Sequence, residues 1–150
     1  MGNQKTEETW SLLGVYSKQI RVLEFAVPVW NSSLTGENIS EIERIQKTAL
    51  HIILGERYIS YSNALKLSGL EKLSNRRRKL CLSFAKKSLK NQKFSKWFKP
   101  NNRITITRQK QLKFCPTYSR TTRFQKSPLS SLTDILNNYF AKKVETLTER

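Results

Sequence analysis

Between Val22 and Gly55 the chain reads VLEFAVPVWNSSLTGENISEIERIQKTALHIILG, and this stretch limits the possible folds more than any other. An apolar-rich segment ends at Val29 and Trp30, a polar turn runs through Asn31–Glu37, and a second segment stops at a glycine. Asn31, Ser32, Ser33, Thr35 and Gly36 in the turn predict two helices folded back on each other as a hairpin. In the second segment Ile39, Ile42, Ile45, Ala49, Ile52 and Ile53 recur at steps of three and four, which leaves Glu41, Glu43, Arg44 and Lys47 for the opposite face. Trp30, Phe25 and this isoleucine stripe form the expected core nucleus. Thr35 is the expected N-cap, Glu37 favours the positive end of the helix, and Gly55 stands where a left-handed closing residue is wanted.

Charge divides the chain in two. Its 150 residues suffice for one domain with its own core, and they carry a formal net charge of +17. Residues 1–71 hold 7 Lys/Arg against 8 Asp/Glu, a net of −1, whereas residues 72–150 hold 21 against 3, a net of +18. So lopsided a chain calls for a polyanion, and RNA, DNA or an RNA–DNA hybrid stands ahead of an anionic membrane. No uncharged apolar run of the roughly 18 residues needed to span a bilayer is present. The polar, acidic start MGNQKTEETW does not read as a secretory signal, and the match of Gly2 and Thr6 to a myristoylation pattern is of a kind that arises by chance. Two cysteines, Cys81 and Cys115, do not make a disulfide framework, so reduced thiols in a nuclear or cytoplasmic protein are expected.

Taken in order, residues 1–8 read as a disordered N-terminus. A helix begins at about Thr9, with Trp10, Leu12, Leu13, Val15, Tyr16, Ile20, Leu23 and Val27 as its amphipathic pattern, and runs past Pro28 with a kink. Ser60 caps a short helix, Tyr61–Ser68, closed by Gly69. A longer helix covers about Leu73–Asn91, with Leu73, Leu80, Cys81, Phe84, Ala85 and Leu89 as its apolar face. Phe94, Trp97 and Phe98 form an aromatic knot that ends the helical domain, residues 9–98, ahead of Pro100. Residues 99–126, rich in Lys and Arg and without an acid, read as an extended basic arm or linker. In the last segment, residues 127–150, Ser127-Pro128 opens a helix to about Val144 with Leu129, Leu132, Ile135, Leu136, Tyr139 and Phe140 on one side. The expected fold is therefore mainly α: a small helical bundle built on a hairpin, then a basic arm and a C-terminal helix.

The residues expected to touch nucleic acid follow from this layout. Arg76, Arg77, Arg78 and Lys79 stand in a row near a helix N-terminus, where the macrodipole disfavours each cation by roughly 0.3–1 kcal/mol. Phosphates nearby would relieve that mismatch. Lys86 and Lys87 follow on the same helix, and Lys110, Lys113, Arg120 and Arg123 line the arm, where Phe114, Tyr118 and Phe124 are candidates to stack on unpaired bases. A solvated basic helix and an unstructured linker are the plainer readings of the same residues. Catalytic chemistry has no such candidates. Paired aspartates hold the two metal ions of a polymerase, and this chain has one aspartate, Asp134. His51 has no evident carboxylate or cysteine partner, the two cysteines cannot complete a zinc site, and the five glycines form no phosphate loop. No catalytic residue, metal or cofactor is expected of the chain by itself.

The runs IRVLEFAVPVWNSSLT, IERIQKTALHIILG, RYISYSNALKLSGLEKL and RRRKLCLSFAKKSLKN also resemble the region downstream of the palm in LINE-type, non-LTR retrotransposon reverse transcriptases of the jockey-like group. The matching motifs are Ile20 through Trp30, Glu43 to Lys47, and Tyr61 through Leu73, and the likeness extends to the late SPLSSLTDILNNYF. The resemblance implies a thumb and C-terminal tail without the catalytic palm, gripping a template–primer duplex in a parent polypeptide that would be an RNA-directed DNA polymerase. The missing palm and fingers would then be partners. One departure stands out: Arg21 runs straight into Val22 where the family has one more residue, and a residue lost from a helix turns what precedes it by about 100°. Two other readings are a helical protein-interaction domain, with the last helix and the aromatic knot as its docking surface, and a decayed transposon remnant that retains its ancestor's binding residues.

Overall fold

The computed structural model describes residues 2–102 and 112–148. Among them are eight helices and no strand: α1 (Gly2–Leu23), α2 (Val27–Trp30), α3 (Gly36–Leu54), α4 (Tyr61–Ser68), α5 (Leu73–Lys90), α6 (Gln92–Ser95), α7 (Thr122–Gln125) and α8 (Pro128–Thr148). The fold is mainly α, as the periodicity requires. Two compact units divide it, one of Met1–Val27 with Leu34–Arg77 and the other of Pro28–Ser33 with Arg78–Arg150. The division passes through α2 and α5, whereas the sequence places its boundary after residue 98.

In the first unit α1 and α4 pack on α3. Leu13, Leu50, Leu54, Ala64 and Leu65 form the core cluster, flanked by Ile53, Tyr58, Tyr61 and Leu70. The helical pairing matches expectation, but the buried face of α3 does not. Gln46, Leu50 and Leu54 point inward, while Ile39, Ile45 and Ile52 are exposed, Ile52 to 74%. Two polar side chains explain the difference. Gln46 Nε2 donates to the Glu71 carbonyl (3.2 Å), and Glu43, expected on the solvent face, is half-buried with the Tyr61 hydroxyl 2.7 Å from its Oε2. Side chains that find partners inside can take core positions that a count of isoleucines assigns elsewhere. Phe25 is likewise not a core residue, at 82% exposure, and Trp30 is half-buried within the second unit.

The helix boundaries are largely those expected. Thr35 Oγ1 accepts from the Asn38 N–H, Ser60 Oγ accepts from the Asn63 N–H, and Gly69 closes α4 with left-handed φ 65°. Two boundaries differ. α1 starts at Gly2, so the residues read as disordered join a helix; Gln4, Lys5, Glu7 and Glu8 are all good helix formers. α1 also stops at Leu23 and does not continue past Pro28. Proline has no N–H for the Glu24 carbonyl, which accepts from Val27 instead (3.3 Å), and Ala26 makes the turn with φ 55°.

In the second unit α7 packs on α8, as does the 3₁₀ turn Asn31–Ser33. Cys81, Ala85, Phe98, Phe114, Leu132 and Leu136 are buried, and the Phe114 ring lies 6.0 Å from both Phe98 and Phe140. Part of the expected basic arm is fixed in place here. The Asn101 N–H donates to the Lys113 carbonyl and the Cys115 N–H to the Lys99 carbonyl, each at 2.9 Å. On the other side Asn137 clamps Phe114, accepting from its N–H (2.9 Å) and donating to its carbonyl (3.1 Å). A buried side-chain amide thus satisfies both backbone groups of one residue, as a neighbouring strand would.

Candidate nucleic-acid interface

An α-helix turns 100° per residue, so four consecutive cations cannot share one surface. The row at the start of α5 shows the consequence. Arg76 Nε pairs with Glu24 Oε2 at 2.8 Å in the first unit, and Glu24 is nearly buried. Arg77 is 3% exposed. Both were expected to meet phosphates, and both are structural. Arg78 and Lys79 are exposed and belong to the second unit.

That unit holds 18 Lys/Arg against 3 Asp/Glu in sequence, a net of +15, and several of its cations converge on Tyr139 of α8. Arg78 and Lys142 line a shallow pocket of about 170 Å³ with Leu82, Ile135, Asn138 and Tyr139. Lys86 Nζ stands 3.6 Å from the centroid of the Tyr139 ring, and Lys113 Nζ stands 3.9 Å from that of Phe140. The two rings meet edge to face at 5.3 Å. Lys86, Tyr139, Phe140 and Lys113 therefore form a continuous row of cation, ring, ring and cation. Each cation–ring contact contributes about 0.5–1 kcal/mol at an exposed site, enough to position an ammonium without neutralising it.

The field of the cluster registers on the tyrosine itself. The nearby Lys86 ammonium holds the Tyr139 phenol below its ordinary value; burial opposes this and Lys143 adds to it. Asp134, on the same helix, is the only carboxylate among the described side chains of this unit, and burial pushes its pKa up. Among the described side chains the surroundings of Tyr139 are thus strongly cationic, the setting that attracts a polyanion.

The remaining expected residues distribute as follows. Lys87 is exposed on α5, Arg120 is exposed ahead of α7 and Arg123 is exposed on α7. Lys110 lies outside the described residues. Tyr118, 87% exposed, is open to stacking, and Phe124 is half-exposed. Phe114 is not a stacking residue: it is 7% exposed and held between Phe98 and Phe140. Sequence reasoning missed Lys142 and Lys143. Their signal was present in their positions three and four residues after Tyr139, which place them on its side of a helix.

Among the described residues no three His, Cys, Asp or Glu side chains gather as metal ligands, no helix is long and apolar enough to cross a membrane, and neither cysteine is in a disulfide. No family model, no curated protein and no solved structure matches the chain.

Proposed function

We propose that the chain is a non-catalytic nucleic-acid-binding module that grips the phosphate backbone of RNA, DNA or an RNA–DNA hybrid through its second unit. The observation that carries this reading is the convergence of Arg78, Lys86, Lys113, Lys142 and Lys143 around Tyr139 and Phe140, in a unit with net charge +15. The backbone phosphates are alike at every position, so contacts to them carry no sequence information and binding is independent of sequence. The motif resemblance supports the same reading in a more particular form: the thumb and tail of a LINE-type reverse transcriptase, closing on template and primer beside a palm and fingers that supply the chemistry. A nuclear or cytoplasmic location goes with that form.

The test is filter binding of the full chain to an RNA–DNA hybrid. Replacing Arg78 and Lys142 together with alanine weakens binding roughly tenfold for all sequences alike. Lys66→Ala, an exposed change in the first unit, leaves it unaltered. Equal effects from the two variants would overturn the assignment to the cluster.

A further inference from the structure

A second feature of the same unit has chemistry of the opposite kind. An open groove of about 410 Å³ is walled by Val29, Phe84 of α5, Trp97, Phe124 of α7, and Pro128 and Leu129 of α8. Its volume falls within the roughly 300–1,000 Å³ typical of ligand sites. Ser127 contributes the only hydroxyl on the wall and Trp97 the only ring N–H. Val29, Phe84, Trp97 and Phe124 are all exposed, so this large apolar surface is left to solvent.

We infer that the groove binds an acidic amphipathic helical segment of a partner protein, whose apolar side chains enter the groove while its carboxylates complement the strongly cationic unit that carries it. Charge complementarity names the occupant. Lys87 follows Phe84 by three positions on α5, Lys96 adjoins Trp97, Arg123 adjoins Phe124 and Lys126 adjoins Ser127; all four are exposed. A nucleic acid would satisfy these cations equally well, but the wall selects against it. Bases stack on aromatic rings, but more than half of this wall is aliphatic, with Val29, Leu129 and Leu132 beside Pro28 and Pro128, and offers no ring to stack on. Aliphatic and aromatic side chains spaced three and four apart fit both parts of such a wall, and helices commonly lay such a face into a groove. The inference does not rest on the phosphate-binding cluster, which uses other residues.

The experiment is fluorescence anisotropy of the full chain with a labelled synthetic peptide of about 18 residues, long enough to be helical, with leucines at i, i+3, i+4 and i+7 and glutamates elsewhere. A peptide of the same composition, scrambled to lose its apolar face, binds at least about tenfold more weakly. Trp97→Ser with Phe124→Ser lowers affinity for the amphipathic peptide by a similar factor; the two side chains are 46% and 48% exposed, and a circular dichroism melt checks that the fold persists. Val29→Glu, a change at an exposed position that places a like charge in the groove, weakens the peptide too. Equal binding of the scrambled peptide would overturn the inference, as would indifference to these substitutions. So would displacement of the peptide by a single-stranded oligonucleotide whose own binding fell in the same variants, which would assign the groove to bases. Arg78→Ala with Lys142→Ala weakens nucleic acid and spares the amphipathic peptide, so failure of either proposal can be told from failure of the other.

Discussion

Glu24 and Glu43 are two of the residues that carry the motif resemblance, and in the structure both hold the first unit together. Glu43 Oε1 accepts from the Ser74 N–H at the start of α5 (2.7 Å) while the Tyr61 hydroxyl approaches Oε2. Burial pushes the Glu43 pKa up, but the hydrogen bonds from Tyr61 and Ser74 outweigh it and hold the carboxylate below its ordinary value of 4.5. The sign of the pH effect follows. The unfolded chain takes up this proton at higher pH than the folded one, so the stabilisation is complete above about 4.5 and lost as pH falls through the folded value. Glu43→Gln removes that part of the acid dependence, which thermal melts from neutral to acid pH would show as a flatter curve; an unchanged curve would contradict the assignment. Burial, then Glu43, raises the Tyr16 phenol to about 12. Arg76→Ala strands the Glu24 carboxylate, which already has one oxygen without a partner, and costs about 1–3 kcal/mol in a denaturation experiment. Alanine across Arg76–Lys79 is thus a folding lesion, although the sequence presents those residues as a plain surface patch. The number of cations is legible in a sequence. Which of them find buried partners 52 positions away, as Arg76 does in Glu24, is not.

The helices show where local pattern is sufficient and where it fails. Capping depends on residues within one turn, and accordingly Thr35, Ser60 and Gly69 sit at the boundaries their chemistry predicts. The start of α8 at Pro128 and the span of α5 were equally readable. The buried face of α3 was not, because it includes Gln46 and is flanked by Glu43, whose partners Glu71, Tyr61 and Ser74 lie well along the chain. This register makes a direct prediction. Leu50→Ala, at a fully buried site, costs about 2–5 kcal/mol. Ile52→Ala, two residues on but exposed, stays within about 0.5 kcal/mol. Urea unfolding of both variants decides it, and the reverse order would restore the isoleucine stripe as the core. Phe114 and its backbone clamp were hidden for a similar reason: nothing local to Lys113–Cys115 reveals that Asn137 and Lys99–Asn101 hold it on both sides.

At the scale of the whole chain the charge division was the most legible feature, and it survives translation into structure as a second unit of net charge +15. Its geometry was only half visible. Arg78, Lys86 and Lys113 were among the expected contacts; Arg76, Arg77 and Phe114 were expected and serve structure, while Lys142 and Lys143 were not expected and complete the cluster. Periodicity could have brought α5 and α8 cations to one side of each helix, but only tertiary packing brings those two sides together around Tyr139. The proposed function requires these five cations to act jointly on a phosphate backbone. Its most direct test is the salt dependence of binding to duplex DNA. If each of the five neutralises one phosphate, log Kobs falls against log salt with a slope of about −4.5, and Arg78→Ala with Lys142→Ala brings it to about −2.7. A slope near zero, or one that the double variant leaves unchanged, would contradict it.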